Sequence, residues 1–222
     1  MAHDGHRQRL KDRFSATGGA GVADYELLEL TLTFAIPRRD VKPLAKALLA
    51  RFGSLAGVLT APPEDLASMP GLGPASVLLV QLVQQLTVRM KRAGLQGQPV
   101  LADRLTLLDY LYTRFASSTR EEGVVLFLNA QLTLLAEETL FTGTQRQVAA
   151  SPREIIKKAL VHNASGLIFS HNHPHGAPQP SAADEAFTQQ LQQAASALGL
   201  TLHDHLIIGA DAHYSFKGAG KL

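Results

Sequence analysis

The chain contains no cysteine among its 222 residues. That absence excludes a disulfide framework, a catalytic thiol and any thiolate metal site. A metal ion would therefore have to be held by histidine and carboxylate side chains. Nine histidines are present, which makes such a site worth seeking.

Long hydrophobic runs are also missing. No stretch approaches the roughly 18 consecutive apolar residues that span a bilayer, and the charged start, MAHDGHRQRLKDRF, has no apolar segment of a secretory signal. No useful internal repeat or low-complexity tract is present. With 45% apolar and 18% charged residues, the composition predicts a soluble, cytoplasmic protein of one ordinary domain or two small ones.

The net charge is only +2 at pH 7, but it is distributed unevenly on the two sides of the loop at 93–99. Residues 1–97 carry 12 basic against 8 acidic residues, net +4, whereas residues 98–222 carry 9 against 11, net −2. We take these two ranges as the predicted domains. A basic front half suits nucleic acid, and a solvated helix surface explains the same charge equally well.

The front half has the periodicity of short amphipathic helices broken by glycine and proline. Apolar ridges lie on Leu27, Leu28 and Leu32, and again on Leu44, Leu48, Leu49 and Phe52. The predicted helices cover residues 23–36, 41–54, 62–69 and 75–92. This half is therefore predicted to be a small all-α domain.

The segment MPGLGPASVLLV (69–80) resembles a helix-hairpin-helix, a turn that binds nucleic-acid phosphate without reading sequence. In that resemblance Gly71 and Gly73 form the tight turn and expose backbone N–H groups. The hairpin contains no lysine or arginine, and the nearest downstream, beginning at Arg89, lie roughly three helical turns or more away. Weak, sequence-independent DNA contact and simple helix packing both remain open.

The back half changes to a pattern of alternating strands and helices. We predict a helix near 103–116, a hairpin of strands at 123–129 and 132–141, and a helix over 151–163 with Ser151 as its N-cap. A strand at 166–170, a helix from Ser181 to about Leu198, and strands at 203–209 and 213–216 complete the order. This order predicts an α/β sandwich with a mixed sheet.

The segment SHNHPHGAPQPSAAD (170–184) carries the chemistry. His171 and His173 stand two apart at the end of a strand, so both side chains point to one face and can reach one ion. Asp184, on the first turn of the next helix, can add a carboxylate. Two histidines and one carboxylate leave a fourth position of a tetrahedral zinc open, as in catalytic sites.

The spacing His171-x-His173-x7-Ser181-x2-Asp184 resembles the JAMM signature of MPN+ metalloproteases. Together with DHLIIG near the end, it is more narrowly similar to the RadC family. The resemblance implies a mixed-sheet JAMM/MPN-type fold, like the cytidine-deaminase sandwich, behind a helix-hairpin-helix region. It also implies one Zn²⁺ per chain, bound by His171, His173 and Asp184.

An upstream glutamate completes the site in such proteins, and EETLFTGT (137–144) offers either Glu137 or Glu138. A strand turns only one of them toward the metal, and the family pattern selects Glu138 as general base. Ser181 is predicted to donate to the oxyanion; it is also a good helix N-cap, and one hydroxyl can serve both purposes. Zinc would lower the pKa of its bound water to about 7.

Two positions depart from the family pattern: His175 replaces a serine, and Ser151 replaces a histidine. Asp204 and His205 are interpreted as a hydrogen-bonded structural pair, with support of a metal ligand as the alternative. The sequence thus predicts a zinc-dependent hydrolase of peptide or isopeptide bonds, with a peptide or protein as substrate. The alternative is a DNA-associated binding protein whose metal is structural or regulatory.

Overall fold

A computed structural model describes residues 2–143, 151–174 and 176–222. The chain divides into two units, one ending at Thr87 and the other running from Val88 to Leu222. This division lies inside a helix, and the predicted domain cut after residue 97 stays a prediction. Among the described residues, no helix combines the length and apolar character needed to cross a membrane.

The first unit is built from helices throughout its described part. These are α1 (Ala2–Thr17), α2 (Asp24–Ala35), α3 (Lys42–Phe52), α4 (Leu55–Thr60), α5 (Pro63–Ala67) and most of α6 (Pro74–Ala93). The sequence did not predict α1 or α4. Helix α1 has no periodic apolar stripe, and among its described side chains only Leu10 is buried. Helix α4 spans only six residues, too few to show a period.

The predicted apolar ridges of α2 and α3 form the core of this unit. Leu28, Leu32, Leu44 and Leu48 are buried in one cluster, as predicted. Leu49 and Phe52 pack against that cluster while remaining partly exposed, whereas Leu27 packs against a separate, smaller cluster. Helix-period spacing therefore identified the core-facing sides of both helices correctly.

The turn between α5 and α6 has the geometry that its glycines suggested. Gly71 adopts φ +87°, where side chains other than glycine are strained. Arg39 donates a 2.7 Å hydrogen bond to the Gly71 carbonyl, and a Cβ at Gly71 would lie 2.6 Å from that guanidinium. The hairpin therefore has a basic side chain beside it. That arginine lies 32 residues upstream of Gly71, so a search of the hairpin and the helix after it does not find it.

The second unit continues with α7 (Arg104–Phe115), β1 (Glu122–Leu128), β2 (Leu134–Thr142), α8 (Pro152–Val161), β3 (Gly166–Asn172), α9 (Ala182–Ser196), β4 (Thr201–Ile208) and β5 (His213–Ser215). The predicted strand and helix order is confirmed. Strand β2 begins two residues later than predicted, because the Asn129 side chain accepts from the backbone N–H groups of Gln131 and Thr133 and holds a longer turn.

The sheet of this unit has the order β2-β1-β3-β4-β5. Strands β3 and β4 run parallel, and the other neighbours run antiparallel, so the predicted mixed sheet is confirmed. Side chains of α8 and α9 share one buried cluster with one face of the sheet, and side chains of α7 share another with the opposite face. Antiparallel pairing places the start of β1 beside the end of β3, with Gly123 opposite His171.

We expect Gly123→Ala to destabilise the protein, because a Cβ there would lie 2.1 Å from the Phe141 ring, which is itself buried. Overpacking of this kind costs about 1–3 kcal/mol of unfolding free energy. Urea denaturation followed by circular dichroism measures the change. Gly73→Ala is the control, since no atom lies within 4 Å of its Cβ position. A Gly123→Ala protein as stable as wild type would contradict this packing.

Candidate metal centre

Three predicted ligands come together at the carboxyl end of β3. His171 lies within the strand, His173 follows just beyond it, and Asp184 lies on the first turn of α9. Strand alternation turns both imidazoles to one side, and α9 begins beside them. The three residues that the sequence motif grouped together therefore also lie together in the structure.

The ligand atoms of His171, His173 and Asp184 all lie within 4.8 Å of one another. The two Nε2 atoms are 3.1 Å apart, and Asp184 oxygens lie 3.4 Å and 4.0 Å from His171 Nε2 and His173 Nε2 respectively. His171 and Asp184 are fully buried, whereas His173 keeps 16% of its side chain exposed. The set can hold a metal ion and leaves access from one side.

The donor chemistry fits such an ion. Two imidazole nitrogens and one carboxylate oxygen are ligands that zinc and similar divalent ions accept, and no thiolate is needed. Within the described ranges, no other group of three histidine or acidic side chains converges in this way.

Ser181 holds the Asp184 carboxylate in place. Its hydroxyl and its backbone N–H both donate to Asp184 Oδ2, at 2.6 Å and 2.8 Å, and its oxygen accepts from the Asp184 N–H at 3.2 Å. This is a reciprocal N-terminal cap of α9, the second role predicted for Ser181. Its donation to an oxyanion stays a prediction.

A backbone carbonyl fixes the tautomer of His173. Its Nδ1 lies 3.1 Å from the Ala177 carbonyl, which can only accept, so Nδ1 carries the proton. The Nε2 atom then keeps its lone pair on the side facing Asp184. His173 is therefore already in the tautomer that a metal ligand requires.

Glu121 is a site residue that the sequence did not single out. It directly precedes β1, and its Oε1 lies 3.9 Å from His173 Nε2. Asn172 fixes the backbone on both sides of it, accepting from the Glu122 N–H at 2.7 Å and donating to the Arg120 carbonyl at 3.2 Å. Because β1 pairs with β3, Glu121 is brought to the histidines from 50 residues upstream.

Comparison with known proteins agrees with this geometry. The family model of the RadC-like JAB domain matches residues 101–221, which hold every strand and all three ligands. The chain belongs to the RadC family. It is 46% identical to the UPF0758 protein SPO0054 of Ruegeria pomeroyi over 217 residues, covering 98% of this chain and 97% of that protein. It is also 46% identical to a UPF0758 protein of Rhodobacter capsulatus over 213 residues, covering 96% and 100%.

The RadC pattern selected Glu138 as general base, but the structure gives its carboxylate other partners. One oxygen of Glu138 contacts Lys158 of α8, and the other contacts His162 at the end of that helix. Glu137 lies on the opposite face of the sheet, where the Tyr110 hydroxyl and Arg92 contact it. The two glutamates lie on opposite faces of the sheet, as predicted, and the role of Glu138 as general base stays a prediction.

The ion pairs of Glu138 predict a pH-dependent stability. Hydrogen bonds from Lys158, and then from His162, hold the pKa of Glu138 below its usual range. Its stabilising contribution is therefore complete above the pKa of an unfolded glutamate and is lost as pH falls through the lower, folded value. We expect the stability advantage of wild type over Glu138→Gln, at most about 1 kcal/mol, to shrink between about pH 6 and pH 3.

Denaturant unfolding of both proteins across that range measures the difference. An advantage that grew on acidification would show that Glu138 is not held as an ion pair.

Three further residues that the sequence singled out are His175, Asp204 and His205. His175 lies outside the described residues. Asp204 and His205 are hydrogen-bonded to each other, since the Asp204 carboxylate accepts from the His205 backbone N–H at 2.8 Å. That carboxylate also accepts from the Ser215 hydroxyl and from the Lys217 N–H, whereas the His205 ring lies against His171. The predicted hydrogen-bonded pair is therefore present, but it joins a carboxylate to a backbone N–H, because the side chains of neighbouring strand residues point to opposite faces.

Proposed function

We propose that this RadC chain is a zinc-dependent hydrolase of amide bonds, acting on a peptide or an isopeptide. The observation that carries the proposal is a buried His-His-Asp set with a separate carboxylate, Glu121, 3.9 Å from one of the histidines. A purely structural metal needs no additional carboxylate beside an accessible edge. In a structural zinc site, protein ligands instead fill all four coordination positions.

The roles follow from the contacts. His171, His173 and Asp184 would hold the ion, whose chemistry is to lower the pKa of water and to polarise the substrate carbonyl. Glu121 replaces Glu138 as our proposed general base: it takes the proton of the attacking water and passes it to the leaving amine. Ser181 keeps the Asp184 carboxylate oriented by its two hydrogen bonds.

A cleavage screen tests this proposal. Peptides and ubiquitin-like isopeptides are incubated with the full chain, before and after removal of metal by a chelator, and products are identified by mass spectrometry. We expect cleavage that is lost with the chelator and restored by Zn²⁺. Cleavage of no substrate by the zinc-loaded protein, or cleavage that the chelator leaves intact, would contradict the proposal.

A second candidate function is DNA binding by the hairpin at 69–80, which one observation favours. Arg39 lies on the Gly71 carbonyl, so a positive charge accompanies a turn that offers backbone N–H groups. We expect weak, sequence-independent binding that fades as salt rises. Fluorescence anisotropy with a labelled duplex should show weaker binding for Arg39→Ala. Tight, sequence-selective binding at high salt would contradict a phosphate-only contact.

A further inference from the structure

Two buried side chains lie directly behind the metal centre, on the side away from solvent. His205 on β4 is 0% exposed and Thr188 on α9 is 1% exposed. The proposed mechanism gives neither of them a task. We infer that Thr188 and His205 set the tautomer of His171, so that its Nε2 keeps the lone pair that binds metal. This inference rests on the metal site of the proposed function.

The Thr188 hydroxyl has a single proton. That hydroxyl donates to the backbone carbonyl of Asp184 at 2.6 Å, as carbonyls only accept. Its contact with His205 Nδ1, also 2.6 Å, must then be one in which the ring donates and the hydroxyl oxygen accepts. His205 therefore carries its proton on Nδ1.

The tautomer of His205 determines the tautomer of His171. With the proton on Nδ1, a neutral His205 has an accepting Nε2, and this atom lies 2.9 Å from His171 Nδ1. His171 must donate from Nδ1, so its Nε2 is unprotonated. That Nε2 is the atom nearest His173 Nε2 and Asp184 Oδ1. The chain of hydrogen bonds thus selects the metal-binding tautomer.

Aromatic contacts keep the His205 ring in the required orientation. The ring stacks on Phe216 with centroids 4.5 Å apart and an angle of 1° between the planes. Phe169 packs against it at 4.7 Å, and Phe187 approaches edge-on at 6.4 Å. A ring held between apolar groups cannot easily turn to exchange its two nitrogens, so the direction of the hydrogen bonds is preserved.

The two histidine ligands are therefore oriented by different means. His173 donates to a backbone carbonyl, which no substitution removes. His171 donates to another side chain, whose own tautomer depends on one hydroxyl. That hydroxyl also donates to the backbone carbonyl of Asp184, which anchors the network to the start of α9. Groups that orient a metal-binding histidine in this way typically contribute about 10–100-fold to metal affinity.

Thr188→Val tests the inference, because it keeps the shape of the side chain and removes the hydroxyl. Long-range ¹H–¹⁵N NMR of the metal-free protein reports which nitrogen of His171 is protonated, independently of any activity. We expect the Nδ1–H form in wild type and in Thr188→Ser, and a mixture of tautomers in Thr188→Val. Zinc titration should show affinity about 10–100-fold weaker for Thr188→Val, with Thr188→Ser close to wild type.

Ser170→Ala is the matched control. Ser170 is buried beside His171 in the sequence, but its hydroxyl donates to the Leu206 carbonyl and takes no part in the network. It should leave both readouts unchanged. An Nε2–H tautomer of His171 in wild type would overturn the inference, as would a Thr188→Val protein with wild-type tautomer and affinity. If wild type showed the Nδ1–H form but bound no zinc, the proposed function would fail while the tautomer assignment stood.

Discussion

Glu121→Gln is expected to lower amide hydrolysis by about 10²–10⁴-fold, the usual contribution of a positioned acid–base group. Zinc and the fold should remain, because the amide is nearly isosteric and the His171, His173 and Asp184 set is complete without Glu121. The loss should fall mainly on kcat, since removal of a proton acceptor affects the chemical step. Steady-state kinetics with a cleaved peptide, together with elemental analysis, separates these effects.

Two other glutamates supply controls for this result. Glu122 is adjacent in sequence, but its side chain contacts Arg114 and Ser118 and belongs to another environment. Glu138 contacts Lys158 and His162. We expect Glu122→Gln and Glu138→Gln to retain most of the activity. If Glu138→Gln abolished turnover while Glu121→Gln stayed active, Glu138 would be the general base and the assignment of Glu121 would be contradicted.

The double variant His171→Ala/His173→Ala is expected to lose zinc entirely, from about one equivalent per chain to none. One carboxylate cannot replace two imidazole ligands, and the site offers no thiolate. Hydrolysis should disappear with the metal. Elemental analysis after dialysis against metal-free buffer gives the stoichiometry.

A second pair of histidines provides the matched control. His203 and His213 belong to β4 and β5 and lie outside the ligand cluster. The variant His203→Ala/His213→Ala should keep its zinc, which excludes nonspecific binding by histidine. Undiminished zinc in the His171→Ala/His173→Ala protein would place the metal elsewhere.

The candidate metal ligands and the serine that caps α9 could be predicted because their relationship is local. His171, His173, Ser181 and Asp184 lie within one strand, one loop and one helix start, so spacing and period determine their geometry. The cap formed by Ser181 and Asp184 was equally readable, since it needs only three residues of separation. The core faces of α2 and α3 were accessible for the same reason.

The proposed base could not be found by that reasoning. Glu121 reaches His173 because β1 pairs antiparallel with β3, and this register joins residues about 50 positions apart. Single-strand periodicity separates Glu137 from Glu138, but it cannot tell which strand start lies beside the ligands. The network of His205 and Thr188 is hidden likewise, because it needs β4 beside β3 and α9 packed over both.

The most direct test of the account is to locate the metal. Crystals of the full chain grown with Zn²⁺ and measured at the zinc absorption edge give an anomalous difference map that identifies the ion without assumptions. We predict one strong peak per chain, within coordination distance of His171 Nε2, His173 Nε2 and an Asp184 carboxylate oxygen. A site without a peak between these three side chains, or a dominant peak elsewhere, would contradict the account.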